Sequence, residues 1–344
     1  MKRKYTKMFF TLALVNIFIC NSCTENNPTE TKNQNIINTW VNVTNGIPSA
    51  SYQIASIGNN IYVAAYFPQS ANFILYSSSN DGESWETLGN GLPDSTSVNG
   101  ISGWSNYVAL ATSSKGVYIS SDYGETWIKP ANNGLESEYV YSIKMDSLFL
   151  YAGAGNDAKI FRSSDLGNNW TAFDNGLPIR TPQFYPRILV IAENNNLFFA
   201  CPFASGIYSS NDNGENWQSM NEGLPDHSWV FSFTASDSFY FAYVMAQAIQ
   251  DYGVYRCEHN SRNWIKMPIA LTDYAPHFVV AKGQTVVASI DSMIEISFNN
   301  GNTWADISKG LNNTKSSLFY YAIVHDNYVF AADIYNGIWR YHLR

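Results

Sequence analysis

The chain has 344 residues, enough for two domains, with 45 % hydrophobic, 15 % aromatic and only 14 % charged residues. Its net charge of −8 argues against nucleic acid as a partner, because phosphate binding needs a basic footprint. The four cysteines show no zinc-type cysteine–histidine spacing, so no metal and no cofactor are expected.

Residues 1–22 read as a signal peptide: a basic start through Lys7, then an apolar run from Met8 to Cys20 too short to span a membrane. Cys20-Asn21-Ser22-Cys23 resembles a bacterial lipoprotein signal, with Ser22 before a lipidated Cys23 and with Cys20 where a leucine is usual. Residues 23–37 are then the anchor and a polar tether with too little apolar surface to pack. Removing residues 1–22 takes away four basic residues and no acidic one, moving the net charge from −8 to −12. An exported cell-envelope lipoprotein of the outer membrane or cell surface is expected, held by its lipid alone. A periplasmic or secreted form is the alternative.

Residues 38–344 carry one repeat throughout. Trp40, Trp85, Trp127, Trp170, Trp217, Trp264 and Trp304 are spaced by 45, 42, 43, 47, 47 and 40 residues, a period typical of four-stranded propeller blades. From Trp85 on, each tryptophan ends an eight-residue segment. The fullest copies read Ser-x-Asp-x-Gly-x-x-Trp, with Asp122, Asp165 and Asp212 followed by Gly124, Gly167 and Gly214. Asn80 and Asn299 replace the aspartate in two copies, and His259 does so in a degenerate one. An aspartate here can accept a backbone N–H two residues on and close a turn, while the glycine suits positive φ. These aspartates are therefore structural.

Other features recur in phase. A Gly-Leu-Pro-like turn follows the tryptophan (Gly91, Gly134, Gly176, Gly223, Gly310), then an apolar strand ending in small residues, then a Gly-x-aromatic strand into the next segment. The first repeat unit begins at a segment tryptophan, Trp40, and the last stops after the strand that precedes one. One strand from the N-terminus and three from the C-terminus should thus share the last blade, leaving few free sheet edges. Cys201 and Cys257 fall at opposite ends of their strands, so free thiols are expected.

The eight-residue segment resembles the Asp-box, or bacterial neuraminidase repeat, of β-propeller proteins. The resemblance covers residues 38–344 and implies an all-β, seven-bladed propeller of four-stranded antiparallel blades. It places the boxes between strands three and four, and any active site on the opposite face. There the sequence places Arg180, Gln183, Phe184, Tyr185 and Arg187 before one blade, Asp226, His227 and Trp229 before the next, and Asp273, Tyr274 and His277 before a third. A longer loop adds Gln247, Gln250, Asp251 and Tyr252. Aromatic rings beside orienting polar groups suit a saccharide or peptide. Trp229 is the tryptophan with no role in the repeat.

Sialidases of this repeat type use an arginine triad. Arg162, Arg256 and Arg340 share one repeat position and read as exposed strand residues, Arg262 lies in the degenerate box, and Arg344 is terminal. Only Arg180 and Arg187 remain, so no triad forms. Xyloglucanase-like relatives set two propellers around a cleft, and one is present here. Sortilin-like receptors and photosystem II assembly factor-like proteins bind proteins with a single ring. The reading is a monomeric, non-catalytic binding or scaffolding propeller for a glycan or envelope protein. The alternative is a glycoside hydrolase or lyase on the rim of blades 4–6, pairing Glu136 or Glu138 with Asp226 or Asp273.

Overall fold

Short runs of β-branched and aromatic residues, punctuated by Gly, Asn, Asp and Ser, pair with the next run along the chain rather than with distant ones. The computed structural model describes residues 39–47, 51–67, 72–155, 159–178, 188–194, 197–269, 278–290, 293–311, 319–333 and 336–343. After β1 (Val41–Asn42), blade 1 comprises β2 (Ser51–Ile57), β3 (Asn60–Phe67), β4 (Asn72–Ser78) and β5 (Glu86–Leu88). Blade 2 is β6 (Val98–Trp104), β7 (Tyr107–Thr112) and β8 (Val117–Ser120). Blade 3 is β9 (Val140–Met145), β10 (Leu150–Ala154), β11 (Lys159–Ser163) and β12 (Thr171–Ala172). Blade 4 is β13 (Ile188–Asn194), β14 (Leu197–Pro202), β15 (Tyr208–Ser210) and β16 (Gln218–Ser219). Blade 5 is β17 (Trp229–Ala235), β18 (Phe239–Met245), β19 (Gly253–Glu258) and β20 (Ile265–Lys266). Blade 6 is β21 (Val279–Lys282), β22 (Thr285–Ile290), β23 (Met293–Ser297) and β24 (Ala305–Asp306). Blade 7 is β25 (Phe319–His325), β26 (Tyr328–Asp333) and β27 (Gly337–His342), with β1 as its fourth strand.

Every strand pair is antiparallel, and Val41 and Asn42 pair with Arg340 and Trp339. First strands of neighbouring blades touch in the order β2, β6, β9, β13, β17, β21, β25 and again β2. Second strands such as Val108-Ala109-Leu110-Ala111 are wholly buried, because a blade is covered on both faces by its neighbours. That is why they read as continuous apolar runs rather than as alternating ones. Blade 2 departs from four strands: its outer edge is a single bridge, Ile119 to Ile128. Pro130 follows two residues later and has no N–H with which to extend a ladder.

The boxes are hydrogen-bonded turns. Ser120 Oγ donates to Asp122 Oδ1 at 2.7 Å and accepts the Gly124 N–H at 2.7 Å. Asp122 accepts the Thr126 N–H at 2.9 Å and the Thr126 hydroxyl at 2.5 Å. The aspartate thus reaches four residues on, not two as the sequence suggested; the serine takes the nearer amides. Asp165 and Asp212 repeat the pattern with Asn169 and Asn216, and Asn80 and Asn299 with Ser84 and Thr303.

The repeat also joins blade to blade. The Trp127 N–H donates to Asn90 O, Trp170 to Asn133 O, Trp217 to Asn175 O and Trp264 to Glu222 O, each at 2.8 Å. A Cβ on Gly176 would lie 2.1 Å from the Trp217 carbonyl oxygen, so the glycine of the Gly-Leu turn is there for close approach as well as for its φ of 90°. Arg162, Arg256 and Arg340 are not exposed strand residues as expected. They are half-buried, and each donates to the carbonyl of a box residue in the next blade: Asn213 at 2.7 Å, Asn300 at 2.5 Å and Asp81 at 2.6 Å. Cys201 and Cys257 are buried free thiols, as expected.

Candidate functional site

Up-and-down blades leave two faces. Box turns and the hairpins joining first to second strands lie on one; loops from second to third strands and links between blades lie on the other. The second face carries the candidate rim. Arg180, Tyr185, Arg187, Asp273, Tyr274 and His277 lie outside the described residues, as does Cys23. Asp226, His227, Trp229, Asp251 and Tyr252 are described.

The link into blade 5 runs Pro225-Asp226-His227-Ser228, and Ser228 Oγ donates to Pro225 O at 2.5 Å. Pro93-Asp94-Ser95-Thr96 before blade 2 makes the same turn, with Thr96 Oγ1 on Pro93 O at 2.5 Å and positive φ at Ser95 as at His227. Asp226 is therefore part of a repeated turn, exposed but structurally explained. What departs from the repeat is His227 in place of Ser95 and Trp229 in place of Ser97.

Trp229 opens β17 half-buried and stacks on Phe203 from blade 4, with ring centroids 5.4 Å apart and an interplanar angle of 11°. The Gly206 N–H, donated to Ser228 O at 3.0 Å, ties the two loops together and brings those rings into register. The Trp229 Nε1–H is buried and has no hydrogen-bond partner among the described residues. A stranded donor of this kind costs about 1–3 kcal/mol unless something supplies an acceptor.

The same position in blade 3 is Tyr139, since Gly116 N–H donates to Glu138 O at 2.9 Å in the equivalent link. Tyr139 is 46 % exposed and its ring lies 4.9 Å from that of Tyr141. Tyr141 and Phe231 both occupy the extra residue of a β-bulge at the start of a first strand. The same bulge recurs in blades 2, 4 and 7, so it belongs to the repeat, and in blades 3 and 5 it carries an aromatic residue. The described rim thus extends over blades 3 to 5. The sequence reading missed Tyr139, Tyr141 and Phe203, although aligning Tyr139 and Tyr141 with Trp229 and Phe231 in the repeat would have found two of them.

Asp251 and Tyr252 separate. Tyr252 is buried, 4 % exposed, inside the cluster of Phe241, Tyr243 and Val254, so it belongs to the core. Asp251 is half-buried, and its carbonyl accepts the Tyr255 hydroxyl at 2.8 Å. Burial, and then the charge of Asp251, push the Tyr255 pKa up to about 12. Glu136 and Glu138, offered above as one half of an acid pair, form ion pairs with Lys159 and Lys129 instead.

A polar cleft of about 240 Å³ lies on the other face, between the box turns of blades 1 and 2, lined in part by Ser79, Ser84, Glu86, Tyr123 and Glu125. Ser84 is already engaged with Asn80. The rim, where the Trp229 indole N–H has no partner among the described residues, is the stronger candidate.

The family model of sortilin, neurotensin receptor 3, matches residues 115–266. No curated protein matches the chain in sequence. Among solved structures, YCF48 bound to D1 peptide superposes with a TM-score of 0.65 at 15 % identity, covering 89 % of this chain and 98 % of that one. The chain is a seven-bladed β-propeller. The propeller is also similar to an extracellular domain assigned to a one component system of B. thetaiotaomicron, with a TM-score of 0.63 and 15 % identity over 88 % of this chain and 40 % of that one. A GH74 xyloglucanase from Xanthomonas campestris gives a TM-score of 0.57 at 14 % identity, over 80 % of this chain and 49 % of that one. The propeller therefore spans less than half of the length of these last two proteins.

Proposed function

We propose that this protein is an exported, non-catalytic binding propeller whose ligand, a glycan or a segment of a partner protein, lies across the rim of blades 3 to 6. The observation that carries the reading is the half-buried Phe203–Trp229 stack, whose indole N–H has no partner among the described residues. A flat ring and a stranded donor suit a sugar face with a hydroxyl, or a peptide with its carbonyl. Exposed His227 stands beside them where the repeat has a serine. The D1 peptide bound by the similar YCF48 propeller supports a polypeptide ligand, and the GH74 likeness a glycan. The ion pairs of Glu136 and Glu138 weigh against the hydrolase alternative, which needs carboxylates free to share a substrate. Cys23 would carry a lipid that holds the propeller at the cell envelope, beyond the tether of residues 24–37.

The test is a parallel glycan and peptide array probed with the wild-type protein and with Trp229→Ala and Phe203→Ala. Each substitution is expected to weaken binding at least tenfold without changing the circular dichroism spectrum. Equal binding by all three proteins would overturn the assignment of the rim. Intact mass measurement of the mature protein checks the anchor: an acyl-modified Cys23 at the N-terminus is expected, and an unmodified chain would rule the anchor out.

A further inference from the structure

Where blade 7 meets blade 1, the box face carries a cluster that neither the repeat nor the rim accounts for. His325 ends β25 and is 5 % exposed. Its Nδ1 lies 2.8 Å from the Oγ of Ser56, itself buried on β2 of blade 1. Its Nε2 faces Asp81 Oδ1 at 3.8 Å, beyond hydrogen-bond range, and makes no hydrogen bond among the described residues. Asp326 follows in the chain, and one donor atom each from Asp81, His325 and Asp326 lie within 4.8 Å of one another.

The neighbouring cations bond to the aspartate backbones. Arg340 Nη1 donates to the Asp81 carbonyl, and Lys282 Nζ donates to the Asp326 carbonyl. Both aspartate backbones are thus fixed from adjacent blades while their carboxylates stay turned toward the imidazole. Ser56 Oγ can accept a proton from Nδ1, and in that tautomer the Nε2 lone pair faces the carboxylates and is free to bind a metal. A hydrogen-bond acceptor on Nδ1–H is the usual orienting partner of a metal-bound histidine.

We infer that Asp81, His325 and Asp326 form a site for a divalent transition metal of the zinc class, bridging blade 7 and blade 1. One imidazole and two carboxylates leave a coordination position for water, a donor set that zinc accepts. Calcium and magnesium favour all-oxygen sites and would leave the imidazole unused. Donors around one tetrahedral zinc lie roughly 3.4 Å apart, so the carboxylates must close by about 1 Å. Asp326 is exposed and the Asp81 side chain is 37 % exposed, so both have room to move and the ion has a path from solvent. An ion held here would tie the first blade to the last and stabilise the ring by mass action.

The test is zinc titration of the metal-stripped full chain by calorimetry, with retained metal counted by mass spectrometry after dialysis. One equivalent bound is expected, with a higher melting temperature that chelator reverses. Asp326→Asn, at an exposed position, and Asp81→Asn should each weaken zinc binding at least tenfold while leaving the metal-free melting temperature within a few degrees. Ser56→Ala should weaken it by about ten- to a hundredfold through loss of the Nδ1 partner. Less than a tenth of an equivalent retained by the wild type, or unchanged affinity in both aspartate variants, would overturn the site.

Discussion

At the scale of single residues, the seventh position of each box decides what its third position can be. Asp165 and Asp212 accept from the side-chain amides of Asn169 and Asn216, whose own oxygens accept from Asn133 and Asn175. Asn80 and Asn299 instead donate to the hydroxyls of Ser84 and Thr303. A hydroxyl can donate or accept, so Asp122→Asn, opposite Thr126, should cost less than about 0.5 kcal/mol at pH 7. Asp212→Asn sets two donors face to face and should cost about 1–2 kcal/mol. Paired thermal melts check both. These bonds to the carboxylate also hold Asp122 and Asp165 below the usual range and Asp212 at about 2. With a depressed folded-state pKa, their stabilisation is complete above the ordinary value of about 4 and is lost as pH falls toward 2. Asp122→Asn should therefore melt with a shallower dependence on pH between about 4 and 2 than the wild type; a parallel profile would refute this. The motif revealed that these residues build turns. Its partner bonds were not legible, because position seven varies among Asn, Ser and Thr and reads as filler in one dimension.

At the scale of the blade, what was predicted as a turn is also a joint. The Gly-Leu turn glycine abuts the tryptophan carbonyl of the following blade, and half-buried arginines or Tyr62 span to the next box; Tyr62 donates to Tyr123 O at 2.9 Å. Gly176→Ala would push a methyl against the Trp217 carbonyl oxygen and force a left-handed φ on alanine. A loss of about 3 kcal/mol is expected, read as a shift in the urea midpoint at constant m-value. A loss under about 0.5 kcal/mol would show that the joint can open without cost. Arginine at one repeat position looked like a solvated strand residue, since a strand's period of two cannot say how far a long side chain reaches across to another sheet. Tyr252 misled in the opposite direction: its place in a loop suggested a rim, yet the short 3-10 turn Ile249–Asp251 brings it back into the core.

At the scale of the whole molecule, the last sheet is built from both ends of the described chain. Trp40 is 3 % exposed, donates its indole N–H to Ile307 O at 2.9 Å and packs on Tyr341 at 5.3 Å. Trp40→Ala removes that packing and the bond holding the N-terminal strand against blade 6. A loss of about 3–5 kcal/mol is expected, with faster proteolysis near the N-terminus of the propeller. Protease resistance equal to that of the wild type would show that β1 adds little to the last blade. Period and punctuation, by themselves, determined the all-β class, seven blades and the N-terminal strand in the last sheet. They could do so because each strand pairs with its neighbour in the chain, and local pairing leaves a local signature. Only the tertiary structure decided which rings stack at the rim, which arginines are clamps, and that His325 meets Asp81 from 244 positions away in the chain. Those contacts join different blades, and which side chains meet there depends on how the sheets pack.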